Sequence, residues 1–132
     1  MVISNEEYFT ILDFLGSRCN QVRIIEDEES NFQDSLKKYS TIEVWTRKFP
    51  GHGGGKRFKV ISYDVSEQLL SKFRTYNNFF EFDGENTNLD IAFYNNDKLV
   101  FWVISHEELC ELEDCYESEY LEYAGKWNCL NR

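Results

Sequence analysis

A glycine-rich stretch contains the first residues of this chain whose types and spacing could do chemistry. Gly51 to Lys56 reads GHGGGK, which approaches the phosphate-binding pattern G-x-x-x-x-G-K-[ST]. The stretch is one residue too short for that pattern, and Arg57 stands in place of the Ser or Thr. β-branched segments flank it on both sides, so no helix N-terminus follows to hold a phosphate. A mobile hairpin tip is therefore the favoured interpretation, and a phosphate site is the alternative.

His106 and Cys110 form a second candidate pair, because residues four apart on a helix share a face. Imidazole and thiolate both bind zinc, and the segment HEELC is loosely similar to H-E-x-x-H. The other histidine is His52, and no third ligand stands out. We therefore expect no catalytic residue, no metal and no cofactor. The alternative is a small-ligand domain or an enzyme that uses Gly51–Lys56 and His106.

The strongest electrostatic feature is a run of acids near the C-terminus. Eight acidic residues and neither Lys nor Arg lie between positions 107 and 122, with tyrosines interleaved. One interpretation is a solvated helix face whose aromatic side lies in the core. The other is a partner-binding surface, where carboxylates attract a cationic partner and aromatic side chains anchor it. The predicted partner-binding residues are Glu111, Asp114, Tyr116, Glu117, Glu119 and Tyr120.

The overall charge of the chain limits the classes of partner that we expect it to bind. The net charge of −10 opposes binding to nucleic acid or to an anionic membrane, so we expect neither as a partner. Five of the 14 basic residues lie between positions 47 and 59, which predicts an electrically polar molecule. At 132 residues, without a repeat or a linker, the chain is expected to form one domain over 1–132. The oligomeric state is left open.

The four cysteines do not form a recognisable sequence motif. Cys19, Cys110, Cys115 and Cys129 show no C-x-x-C spacing. The N-terminal residues lack the basic region and apolar run of a secretory signal, and no apolar run approaches the ~20 residues that cross a membrane. We therefore expect a cytoplasmic protein with reduced thiols, most of them buried, and a disulfide stays possible.

The elements that must position these residues follow from hydrophobic periodicity. The predicted fold class is α+β, with an antiparallel sheet packed against helices. The predicted elements are hairpins over 41–63 and 89–105, a short strand over 22–25, a short helix near Phe32 and Leu36, and helices over 5–19, 65–76 and 116–124. Residues 99–105 are apolar on both faces, which predicts a covered strand. Trp102→Ala is expected to cost about 3–5 kcal/mol as a core truncation.

Residues 106–112 allow two interpretations. Ser105-His106-Glu107-Glu108 fits a capping box, so a helix could begin there. Alternatively, the segment turns at His106 and a further antiparallel strand covers 108–112. The residue pattern by itself slightly favours the helix.

Three segments together resemble small acidic bacterial immunity-like proteins, which are encoded beside polymorphic or contact-dependent toxins. The segments are WTRKFPG at 45–51, YNNFF at 76–80, and DIAFY at 90–94 with FWVISHE at 101–107. The resemblance covers residues 41–107 and rests on structural motifs. It favours the strand over 108–112.

The resemblance implies a non-enzymatic protein that neutralises a cognate toxin by direct binding. A basic nuclease domain is one toxin that an acidic protein would fit, because the acidic surface would occupy a site meant for phosphate. A phage- or host-derived regulatory inhibitor of another protein is a further alternative.

Overall fold

The computed structural model describes residues 5–26, 31–52, 55–80 and 89–125. In these ranges the chain forms a six-stranded antiparallel sheet and four α-helices, which confirms the α+β class. No helix there is long and apolar enough to span a bilayer. The helices are α1 (Asn5–Arg18), α2 (Asn31–Leu36), α3 (Glu67–Phe73) and α4 (Asp114–Ala124). The strands are β1 (Gln21–Ile25), β2 (Ser40–Thr46), β3 (Phe58–Asp64), β4 (Ile91–Asn95), β5 (Lys98–Ile104) and β6 (Leu109–Leu112).

The sheet has the spatial order β2-β3-β1-β4-β5-β6. Both predicted hairpins are present, as β2–β3 and β4–β5. The short strand β1 lies between them, and Gln21 pairs with Asp64 on one side and Tyr94 on the other. One strand therefore joins the two hairpins and leaves β2 and β6 at opposite edges of the sheet.

The turn between β4 and β5 has the backbone that its residues predict. Asn96 and Asp97 both have positive φ angles, 49° and 68°. Asn and Asp tolerate this left-handed region, and two such residues match the right-handed twist of the flanking strands. The predicted hairpin turn is confirmed.

The main core lies between one face of the sheet and the helices. The helical side contributes buried side chains that include Tyr8, Phe14 and Leu15 of α1, Leu69 and Phe73 of α3, and Tyr120 of α4. Alternate strand residues such as Val22, Ile61, Phe93 and Phe101 meet them from the sheet. Ser66 caps α3 by accepting a hydrogen bond from the Leu69 amide at 3.1 Å.

A smaller apolar cluster occupies the other face of the sheet. Phe49, which follows β2, folds back there against Val60, Ala92 and Tyr94. Trp102 packs against this cluster and is half-buried, so its predicted place in the main core is wrong. Side chains alternate between the faces of a strand, and its neighbours Phe101 and Val103 hold the core positions.

The segment after β5 follows the strand interpretation. Ser105–Glu107 forms a short 3-10 turn, and Glu108 adopts a left-handed conformation with φ 48°. β6 then pairs with β5, with Cys110 opposite Val103. The helix that the capping-box pattern suggested is therefore wrong here, because Cys110 and Leu112 alternate into the core. α4 begins at Asp114, two residues before the predicted start.

Candidate functional site

Three acidic residues lie where β6 ends and α4 begins, and we call Glu111, Glu113 and Asp114 the acidic corner. The Glu113 amide donates a hydrogen bond to the Val100 carbonyl at 2.9 Å, which holds the corner on the sheet edge. Partial burial, with the nearby charges of Glu111 and Asp114, raises the pKa of Glu113 above its usual value. None of the ion pairs between described residues neutralises these three carboxylates.

The structure separates the six predicted partner-binding residues. Asp114 is exposed, and the side chains of Glu111, Tyr116, Glu117 and Glu119 are partly exposed. Glu119 accepts a hydrogen bond from Arg18 Nε at 2.5 Å and so ties α4 to α1. The Tyr116 hydroxyl accepts a hydrogen bond from Asn95 Nδ2 at 3.4 Å.

Tyr120 is the member of the predicted set that the fold removes from the surface. Its side chain is 1% exposed and packs edge-to-face on Phe14, with the ring centroids 5.0 Å apart. Its hydroxyl donates to the buried carboxylate of Glu7 at 3.1 Å. Burial and the charge of Glu7 raise the pKa of Tyr120 above its usual value. Tyr120 therefore joins α4 to α1 and is not available as a surface anchor.

Glu113 offers a direct test of the acidic corner. Because its pKa is higher in the folded chain, the folded state binds more protons than the unfolded state between the two pKa values. The stability of the wild type should therefore fall as the pH rises through that interval. Glu113→Gln should gain stability relative to the wild type as the pH rises from about 4 to 7. Thermal melts across this range measure the difference, and a pH-independent difference would contradict the assignment.

The first part of the glycine-rich connection between β2 and β3, residues 49–52, is docked on the sheet, whereas residues 55–57 are exposed. Gly51 has φ +82°, and a Cβ there would lie 2.7 Å from Ile104 and 2.8 Å from Trp102. The next residue, His52, places Nε2 2.6 Å from Asp90 Oδ2. Asp90 also accepts a hydrogen bond from the Ser105 amide at 3.0 Å.

This arrangement accounts for Gly51 without a phosphate. The missing side chain permits close packing on Ile104 and Trp102, and residues 49–52 lie against the sheet. The mobility expected of the hairpin tip stays a prediction. Gly53 and Gly54 lie outside the described residues, as does the side chain of His106. In the described part of the chain, no group of three His, Cys, Asp or Glu side chains could hold a metal ion.

The cysteines differ in state. Cys110 is disulfide-bonded, whereas Cys19 and Cys115 are free, so the expectation of reduced thiols is wrong for Cys110. Cys129 lies outside the described residues. Burial raises the pKa of Cys19 to about 12, so its thiol stays protonated and unreactive near neutral pH.

A surface that the sequence analysis did not identify lies at the opposite edge from the acidic corner. The β2 side chains Ile42, Val44 and Trp45 are 56%, 48% and 59% exposed. A groove of about 340 Å³ runs along this side of the sheet, and Ile42 and Val44 line it. The alternation of residues 41–47 predicted a strand, but nothing in it indicated an edge position.

Arg23 forms the polar wall of this groove. Its guanidinium lies 3.8 Å from the ring centroid of Tyr94, and its Nη2 donates to Asp97 at 2.8 Å. Arg47 and Lys48 follow β2 directly, and Lys48 lines the groove. Arg47 and Lys48 thus lie at the β2 end of the sheet and the acidic corner at the β6 end. The electrical polarity of the whole molecule stays a prediction.

Comparison of the chain with protein-family models, with curated proteins and with solved structures returned no match.

Proposed function

We propose that this chain is a non-enzymatic immunity protein that neutralises a cognate toxin by direct binding. The observation that carries the proposal is the acidic corner, where partial burial and then the charges of Glu111 and Asp114 raise the pKa of Glu113. A cation from a partner would relieve that repulsion, so the corner favours a basic surface. The resemblance to immunity-like proteins over residues 41–107 supports the same function.

The part of α4 that faces solvent extends this surface. Asp114, Leu121, Glu122 and Tyr123 are exposed, so acidic and apolar side chains occur together on the helix. Carboxylates at the rim steer encounter, while aromatic and aliphatic groups contribute contact area. Tyr123 thus takes the anchoring role that the sequence assigned to Tyr120.

Cell survival tests the proposed function. Expression of a toxin gene adjacent to the gene for this chain should kill cells that lack the chain and spare cells that contain it. Purified toxin and chain should form a complex whose association slows as salt is added. An adjacent gene whose product is harmless, together with capture of an unrelated host protein, would instead support a regulatory inhibitor.

Charge reversal at Asp114 tests the surface. Asp114→Lys should lower the association rate constant about fivefold at low salt, because it replaces an attractive charge with a repulsive one. Asp64→Lys is the matched control, since it makes the same change in net charge at another exposed aspartate near a helix start. Surface plasmon resonance at two ionic strengths measures both variants. If both variants lowered the association rate constant equally, the net charge of the chain would account for the effect, and the acidic corner would not.

Glu119 is unsuitable for this experiment. Its carboxylate pairs with Arg18, so reversal there would place two cations together and loosen the contact between α1 and α4. A loss of binding by Glu119→Lys would then mix a folding effect with an interface effect.

A further inference from the structure

The strand β2 presents an apolar edge that a monomer would ordinarily protect. Edge strands are usually protected by charged residues, bulges or covering segments, because their free backbone groups can pair with another chain. Among the described residues β2 pairs with β3 alone, and its bulge lies at the start, between Ser40 and Ile42. Glu43 is the one charged residue within the strand, and its carboxylate is paired with Lys59 at 3.1 Å. Residues 42–46 pair with β3 in regular register, and residues 42–45 are exposed.

The groove beside β2 suits the side chains of an added strand. Near β2 its lining combines apolar side chains with polar ones, and these are Ile42, Val44, Phe49 and Val60 with Thr46, Lys48 and Ser62. Alternate residues of a strand point to the same face, so every second side chain of a segment paired with β2 would lie on the face of this groove, beside Ile42 and Val44. The remaining side chains would lie on the face that carries Trp45.

Charge decides between possible occupants. Lys37 and Lys38 precede β2, with Lys37 paired to Asp34 at 2.9 Å, and Arg47 and Lys48 follow it. Antiparallel pairing of β2 with a second copy would place the basic end of one strand against the basic start of the other. Like charges directly opposed across strands are destabilising, so a two-fold dimer through β2 is disfavoured. An acidic segment has the complementary charge at both ends.

We infer that β2 binds an extended segment of a protein partner, with alternating apolar residues and acidic ends, as an additional strand of the sheet. Backbone hydrogen bonds provide the affinity of such strand addition, and the groove and the basic ends select the sequence. β2 and β6 are five strand spacings apart, about 24 Å, so this surface is separate from the acidic corner. The inference does not rest on the proposed function, and either can fail without the other.

Hydrogen exchange with a defined probe tests this inference. The probe is an acetylated nonapeptide in which Val and Thr alternate over five positions between two pairs of Glu. Its twin carries Lys in place of each Glu. The acidic probe should slow amide exchange over residues 42–46 and shift the emission of exposed Trp45 to shorter wavelength, whereas the twin should do neither. Titration of either signal gives the dissociation constant.

Matched variants connect the signal to the surface. Lys48→Glu should weaken binding of the acidic probe about fivefold, whereas Lys72→Glu makes the same charge change on α3 and should leave it unaltered. Ile42→Thr with Val44→Thr keeps β-branched side chains on the exposed strand and should abolish the signal without lowering the melting temperature.

Three results would overturn the inference. The first is protection of residues 42–46 by neither peptide. The second is equal protection by both peptides, which would remove the charge selection. The third is self-association: sedimentation showing a dimer that Ile42→Thr with Val44→Thr dissociates would assign β2 to a second copy of this chain. The proposed toxin neutralisation would be unaffected by any of these results, because the proposal assigns it to the acidic corner.

Discussion

Phe101→Ala is expected to lower the free energy of unfolding by about 3–5 kcal/mol. The Phe101 side chain is fully buried in β5, and its ring centroid lies 5.3 Å from that of Phe79 and 6.3 Å from that of Phe93. In the sheet it lies opposite Phe93 of β4 and Leu112 of β6. Truncation would leave a cavity whose walls belong to three separate segments, which limits collapse around it. Urea unfolding followed by far-UV circular dichroism measures the loss.

Trp102→Ala is the control within the same strand. Trp102 faces the smaller cluster and is half-buried, so less apolar surface is returned to water on truncation. We expect a cost of about 1–3 kcal/mol, below the value expected for a core position. A larger loss of stability for Trp102→Ala than for Phe101→Ala would mean that Trp102, and not Phe101, faces the main core. That result would contradict the structure.

The hairpins could be predicted because their signals are local. β2–β3 and β4–β5 each join neighbouring segments with β-branched alternation, and Asn96 and Asp97 are suited to the left-handed turn. The place of β1 could not be predicted in the same way. Its insertion between β3 and β4 depends on pairing with segments that are distant in the sequence. The five residues of β1 do not indicate which strands will be its neighbours.

Because the sequence does not indicate strand order, it also does not predict the exposed surface of β2. The pattern of Ile42, Val44 and Trp45 fits a half-buried strand as well as an exposed one. β2 is exposed because β1 occupies the other side of β3, which leaves no described strand beyond β2. Exposure here is a consequence of strand order, which periodicity does not encode.

The sequence predicts that the candidate surface is acidic, but it does not predict which side chains are exposed there. Tyr116, Tyr120 and Tyr123 follow one another at helical spacing, so the sequence cannot say which of them is buried. Contact with Phe14 and Glu7 of α1 selects Tyr120 for the core and leaves Tyr123 49% exposed. The direction of α4 relative to α1 decides this, and that direction is a tertiary property.

Gly51→Ala is expected to lower the free energy of unfolding by about 2–4 kcal/mol. Two costs add at this position. Alanine at φ +82° adopts a left-handed conformation that its Cβ disfavours, and the same Cβ would lie 2.7–2.8 Å from Ile104 and Trp102. Ile104 is itself buried, so it has little room to move away.

Gly125→Ala separates these two costs. Gly125 has φ +80°, close to that of Gly51, and in the part of the chain that the structure describes nothing lies within 4 Å of a Cβ placed there. Its substitution should therefore cost only the backbone term, about 1 kcal/mol. Thermal and urea unfolding of both variants give the difference, which measures how tightly the connection after β2 packs on the sheet.

The same pair of variants distinguishes a packing glycine from a ligand-binding one. A glycine that allows a phosphate to approach would be tolerated as alanine in the absence of ligand, so the two variants would lose equal stability. Inorganic phosphate would then raise the melting temperature of the wild type and not that of Gly51→Ala. The close approach of Gly51 to Ile104 and the contact between His52 and Asp90 favour a larger loss at Gly51 and no effect of phosphate.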